Sequence, residues 1–216
     1  MNNDCVQLIC FDLGGVLMRL QRNWSAACAA AGVPISREVD AAAEATIHDL
    51  ICLHETGRMD STQFDRELAA LMGLRVEQAR AICTAWLAGP YPGVDELLEE
   101  LSGLAVRTAC LSNTNAYHWQ MMCSREHGCG LPLHRMDYRY ASHLIGWRKP
   151  DAQIYEHVER STGIAASRTV FFDDLPANVA AAEQRGWRAV LVDDPHDPVG
   201  QMRDHLAGLG VLIDKR

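Results

Sequence analysis

The chain has 216 residues, 48% of them apolar, with 28 acidic against 20 basic side chains and a formal net charge of −8. That length carries one large domain, or one domain with an insertion. The acidic balance, without a long basic run, argues against nucleic acid or an anionic membrane as the main partner.

Residues 6–11 form a short apolar run that ends in Asp12 and then Gly14-Gly15. Such a run predicts a buried strand that delivers one carboxylate to its carboxyl end, beside bare backbone. In an open parallel sheet, ligands bind at that end. A carboxylate placed there can hold a hard cation or attack an electrophile. Taken alone, the pattern also fits an Asp that merely opens a turn.

Residues 19–89 contain no strand-like run. They are alanine-rich, and helix is predicted over 26–31, 41–45, 64–71 and 77–87. Gly89-Pro90-Tyr91-Pro92-Gly93 then punctuates the chain. The domain reading is a core of residues 1–18 and 90–216, with residues 19–89 inserted as a helical cap above Asp12.

Three further strands are predicted at 106–111, 169–172 and 189–192. Helices are predicted at 94–103, 115–127, 151–162, 176–186 and 198–208. The alternation gives a doubly wound α/β fold: a Rossmann-like parallel sheet with helices on both faces. Pro150 falls where the first turn of the 151–162 helix would begin, and Gly163 is its expected stop.

Polar residues mark the strand ends. The second strand leads into Ser112-Asn113-Thr114-Asn115, whose hydroxyl and amide suit an oxyanion or a helix cap. Lys149 lies beside a helix N-terminus, where a cation calls for an anionic partner. The third strand ends in Asp173-Asp174, an acidic pair suited to Mg2+, with Asn178 placed to orient a carboxylate. A nucleophilic carboxylate, a polar cradle, a lysine and an acidic pair are together what phosphoryl transfer requires.

Eight cysteines (5, 10, 28, 52, 83, 110, 123 and 129) show no C-x-x-C spacing. They are expected to be reduced thiols in a cytoplasmic protein; a Cys123–Cys129 bridge is the less favoured alternative. The segment carrying Asp4 has no basic n-region or apolar h-region, and no apolar run approaches a membrane span. Trp24, Trp86 and Trp119 are expected to pack helices, and Arg19 and Arg22 to lie on a solvated face. The nine histidines lack zinc-site spacing, with His54 singled out by its place in the insertion.

The four motifs Phe11-Asp12-Leu13-Gly14-Gly15-Val16-Leu17, Leu111-Ser112-Asn113-Thr114-Asn115, Arg148-Lys149-Pro150 and Phe171-Phe172-Asp173-Asp174, in this order, resemble the haloacid dehalogenase superfamily. His54-Glu55-Thr56-Gly57-Arg58-Met59, followed by Phe64, resembles the cap loop of a bacterial sugar-phosphate phosphatase branch, the α-D-glucose-1-phosphate phosphatases. The resemblance implies a Mg2+-dependent phosphatase for a small phosphorylated metabolite, a sugar phosphate favoured, in a monomer or homodimer. Asp12 would form an aspartyl-phosphate. Asp12, the Gly14 carbonyl and Asp174 would hold the metal, with Asp173 ligating or supporting it. Ser112, the Asn113 backbone and Lys149 would bind the phosphoryl group, and His54 and Glu55 would face the substrate. Gly14 departs from the pattern: a second Asp, the usual acid/base, stands there in most phosphatases of the superfamily. The alternatives are a 2-haloacid dehalogenase-type hydrolase and a non-catalytic binding protein on the same fold.

Overall fold

The computed structural model describes residues 5–34, 41–124 and 129–212. Strand β1 (Leu8–Phe11) lies at the centre of a five-stranded parallel sheet. Its neighbours are β4 (Arg107–Ser112) and β6 (Thr169–Asp173). The outer strands are β5 (Tyr138–Ala141) and β7 (Arg188–Leu191), giving the order β5-β4-β1-β6-β7.

The apolar run of β1 is buried on both faces because each face carries a helical layer. Ile9 and Phe11 pack in one cluster with α5 (Val94–Ser102), α6 (Ala116–Cys123) and α10 (Pro198–Gly208). Leu8 and Cys10 point the other way, toward α8 (Ala152–Thr162) and α9 (Pro176–Gln184). This alternation is the period of two of a strand, here apolar on both sides as parallel sheets require. Fully burying each such side chain is worth about 1.5–3 kcal/mol. The predicted sheet with helices on both faces is what forms.

Four helices lie between the two arms of a small antiparallel ribbon, β2 (Met18–Leu20) and β3 (Leu87–Pro90). They are α1 (Trp24–Ala30), α2 (Ala41–Glu55), α3 (Ser61–Met72) and α4 (Val76–Ala85). They share apolar clusters of their own, built on Ile47, Phe64, Leu68, Ala79 and Ile82. The segment 19–89 is therefore not free of strands: Leu20 pairs with Leu87 across the ribbon, and the helix expected to run through residue 87 stops at Ala85. Arg19 reinforces the ribbon by donating to the carbonyls of Ala88 (3.0 Å) and Gly89 (3.5 Å); Arg22 is exposed.

Other boundaries shift slightly. Helix α8 starts at Ala152 with Asp151 as its N-cap, so Pro150 precedes the helix instead of opening it; Gly163 ends it at φ +67°, as expected. Helix α6 ends at Cys123, and residues 125–127 of the longer helix predicted there, like Asp4, lie outside the described residues. All eight cysteines, Cys123 and Cys129 included, are free thiols. Among the described residues no helix is long and apolar enough to cross a membrane.

Candidate active site at the carboxyl edge of the sheet

Parallel registry decides which side chains meet. Phe11 is level with Phe172 on one side and Cys110 on the other, so the next residues, Asp12 and Asp173, emerge side by side. Ser112 ends the neighbouring strand, and its side chain is almost fully buried.

Lys149 reaches this edge from the loop before α8 and is 1% exposed. Its ammonium lies 2.9 Å from Asp12 Oδ1 and 2.6 Å from Asp173 Oδ2. Asn113 fixes it there: its Nδ2 donates to the Lys149 carbonyl (2.8 Å), and its Oδ1 accepts from the Lys149 N–H (2.7 Å). The Asn113 side-chain amide thus commits one N–H and its oxygen to the Lys149 backbone. Asp173 is held on all sides, with Oδ1 accepting from the Leu175 N–H and from Asn178 Nδ2, both at 2.9 Å. Asn178 orients a carboxylate as expected, and that carboxylate is Asp173.

The Leu13 N–H donates to Asp12 Oδ1 (2.6 Å), the same oxygen that faces Lys149. Oδ2 is then the oxygen neither group holds. Behind Asp12 the chain turns tightly, with the N–H groups of Leu17 and Met18 both donating to the Leu13 carbonyl. Gly15 sits in this turn at φ +76°, and a Cβ there would collide with Asp174 Oδ2. Only glycine satisfies both the left-handed backbone and the close approach of that carboxylate.

Asp12, Asp173 and Asp174 offer oxygens that all lie within 4.8 Å of one another. One lysine stands against these three acids, and the imbalance is visible in the ionisation of Asp12 and Asp174. Burial, with Asp173 and Asp174 adding repulsion against the pull of Lys149, pushes Asp12 up to about 8. Burial and Asp173 likewise push Asp174 up to about 6. Burial acts to lower Lys149, but Asp12 and Asp173 outweigh it and hold the ammonium above its ordinary pKa. A cluster of hard oxygens with excess negative charge fits a divalent cation such as Mg2+.

A cavity of about 370 Å³ opens beside this cluster, between the inserted helices and the core. Gly14, Ser112 and Asn113 line it from the core, and His54 and Glu55 from α2. Trp24 and Trp86 pack together (5.1 Å between ring centroids) and also wall the cavity, a second role the sequence did not indicate; Trp119 packs at the edge of the core.

His54 and Glu55 are less open than expected. Glu55 accepts from Arg148 through Nε (3.0 Å) and Nη2 (2.9 Å), a pair that ties α2 to the loop carrying Lys149. Burial raises the Glu55 pKa while Arg148 opposes the rise. Arg148 lies inside the Arg148-Lys149-Pro150 motif, yet its partner is 93 residues away, so its role as a clasp has no local signal.

His54 stacks on Phe64 (4.4 Å) and shares a hydrogen bond with Ser61 (3.0 Å). Burial, reinforced by His118 and His143 and opposed by Asp60, lowers its pKa from 6.5 to about 4. The unfolded chain therefore takes up this proton well before the folded one does, and stability falls as the pH drops from about 6.5 to 4. The loss assigned to His54 is on the order of 1–2 kcal/mol, allowing for partial solvent screening. Denaturation midpoints at pH 7 and pH 4.5 check this: His54→Gln should show the smaller drop, whereas equal drops would exclude His54 as a source.

Comparison with known proteins adds to this geometry. Residues 6–186 match the haloacid dehalogenase-like hydrolase family. A phosphatase of Mycobacterium tuberculosis is 30% identical over 69% of this chain and 67% of its own. A sesquiterpene phosphatase of Aspergillus oryzae is 30% identical (65% and 70%), and a D-ribitol-5-phosphate phosphatase of Bacteroides thetaiotaomicron 29% identical (66% and 71%). A predicted HAD-like hydrolase from Porphyromonas gingivalis superposes with a TM-score of 0.73 at 28% identity, over 93% of this chain and 98% of its own. A HAD-family enzyme of Bacteroides thetaiotaomicron, solved with magnesium and inorganic phosphate, shares the fold at 22% identity and a TM-score of 0.69, over 86% and 93%. The chain belongs to the haloacid dehalogenase-like hydrolases.

Proposed function

We propose that the protein is a Mg2+-dependent phosphatase for small phosphate monoesters that works through an aspartyl-phosphate on Asp12. The observation that carries the reading is the triad of Asp12, Lys149 and Asp173 with Asp174 beside it, four ionisable groups gathered at one sheet edge. Relatives named as phosphatases, and a solved neighbour holding magnesium and phosphate, support it.

In this reading Asp12 Oδ2, free of Lys149, attacks phosphorus while Oδ1 stays fixed by Lys149 and the Leu13 N–H. Lys149 opposes the rise in the Asp12 pKa that burial causes, and faces the incoming phosphoryl oxygens. Ser112 and the Asn113 backbone complete the cradle. Asp12, Asp174 and the Gly14 carbonyl would hold Mg2+, and Asp173 would support the site mainly by fixing Lys149. When bound, the ion neutralises the developing charge on the phosphoryl oxygens. Residues 19–89 act as a cap over a core of 1–18 and 90–216, with the Glu55–Arg148 pair holding the two together.

The resemblance favours a sugar phosphate, and the D-ribitol-5-phosphate relative is in keeping with that. Phosphate release from a panel of sugar, alkyl and aryl phosphates, with Mg2+ and with chelator, tests the function. Release that chelation abolishes is expected. Metal-independent chloride release from 2-haloacids, without phosphate release, would replace this reading with the dehalogenase one.

A further inference from the structure

The cavity beside Asp12 says more about the group that leaves than about the phosphoryl group. Its walls include Leu20, Ile51, Phe64 and Met122 as well as the paired rings of Trp24 and Trp86, and among the described residues no lysine or arginine lines it.

The polar groups on its surface are largely spent on one another. His54 is bonded to Ser61, Glu55 to Arg148, and Asp65 to Arg80 at 2.7 Å. Thr84 donates to the Arg80 carbonyl, so the Tyr117 hydroxyl must be the donor in its 2.9 Å bond to Thr84. His118 donates from Nε2 to the Cys83 carbonyl (2.7 Å), and its Nδ1 faces the Asn115 amide (3.3 Å). A polyol placed here would give up bonds to water without replacement, at about 1–3 kcal/mol for each polar group left unmet. An apolar ring loses nothing of the kind.

Gly14 borders the cavity without a side chain, and Leu20 Cδ1 lies 2.9 Å from where a Cβ at position 14 would stand. A methyl group thus fills the space through which a proton-donating side chain would extend from that position. The two carboxylates on the cavity wall, Glu55 and Asp65, are held in ion pairs with guanidinium groups. Among the described residues a leaving oxygen in this cavity meets no carboxyl group free of such a pair, so it must depart as an anion that is stable by itself.

Resting on the phosphatase reading above, but in place of the sugar phosphate that the resemblance favours, we infer that the protein's preferred substrate is an aryl phosphate, whose ring fills the cavity and leaves as a phenolate. Asp12 forms a bond to phosphorus as the bond from phosphorus to the aryl oxygen breaks, and the electron pair of that bond stays on the oxygen. The phenolate is released and takes its proton from solvent. Water then displaces Asp12 at phosphorus, giving inorganic phosphate and the free carboxylate, with a proton passing to solvent.

The test is kcat/KM with saturating Mg2+ for phenyl phosphates of graded phenol acidity, cyclohexyl phosphate, glucose 1-phosphate, glucose 6-phosphate and acetyl phosphate. A general acid contributes about 10²–10⁴-fold, so phenyl phosphate should exceed cyclohexyl phosphate, a match in size without an acidic leaving group, by at least about 100-fold. The phenyl series should also slow steeply as the phenol becomes less acidic. In the double variant Gly14→Asp/Leu20→Ala, which places an acid in the freed space, that slope should flatten. A flat slope in the unaltered protein, or glucose phosphates turned over as fast as phenyl phosphate, overturns the inference and leaves the phosphatase reading standing. No release from any compound, acetyl phosphate included, overturns both.

Discussion

Asp12→Asn is expected to abolish phosphate release, by at least about 10⁴-fold, while leaving the fold intact. The chemical part follows from geometry: an amide cannot displace the leaving group at phosphorus, and the acid that emerges beside it, Asp173, is not placed to do so. Asp173 has both oxygens occupied by Lys149, Leu175 and Asn178. The structural part follows from ionisation. Asp12 in the fold resists losing its proton until about pH 8, chiefly because it is buried, so a neutral isostere suits the metal-free site at least as well as the carboxylate does. The melting temperature without Mg2+ should therefore hold or rise. The stabilisation that Mg2+ gives the unaltered protein should shrink, because one ligand is lost. Activity of the variant within tenfold of the unaltered protein would remove Asp12 from the nucleophile's role.

Lys149→Met is the second large effect, and it differs in kind. The ammonium is buried between Asp12 and Asp173 and lies 5.4 Å from the centre of the Phe171 ring. Taking it away leaves two carboxylates in a buried site with no cation, which costs about 3–5 kcal/mol. Its raised pKa means that the favourable interaction persists at neutral pH and is lost only in strongly alkaline solution, as the pH rises through the folded value. Activity should fall with stability. Two further measurements separate these losses. Mg2+ should restore part of the stability of Lys149→Met, by restoring positive charge. Lys149→Met/Asp173→Asn should recover stability further, because an uncompensated acid is gone, yet remain inactive. A denaturation midpoint unchanged in Lys149→Met would contradict the ion triad as a structural element.

Much of this site is legible in the sequence because its residues follow strong local signals. Asp12 and Asp173 each end a run of apolar residues buried on both faces, and parallel pairing of those runs sets the acids side by side. The strand at Tyr138–Ala141 escaped notice for a related reason. It lies at the sheet edge, where Arg139 faces solvent and only Tyr140 and Ala141 are fully buried, so its pattern is short and mixed. Leu87–Pro90 carries a glycine and a proline, both poor strand formers, and is a strand only because Met18–Leu20 pairs with it from about 70 residues away.

Two contacts that shape the site were illegible for the same physical reason. The Glu55–Arg148 clasp and the commitment of the Asn113 amide to the Lys149 backbone join segments that lie apart in the chain, whereas the methyl of Leu20 comes over Gly14 through the turn that follows Asp12. Sequence spacing says what each side chain is able to do. Packing decides which of those capacities is already used.

The most direct test of the account is to mix excess protein with a phenyl phosphate and Mg2+, quench with acid within a single turnover, and map the phosphorylated peptide by mass spectrometry. The account predicts a phosphoryl group on Asp12, removed by hydroxylamine as an acyl phosphate should be. A phosphoryl group on any other residue, or phosphate release with no phosphorylated protein at any quench time, would contradict it.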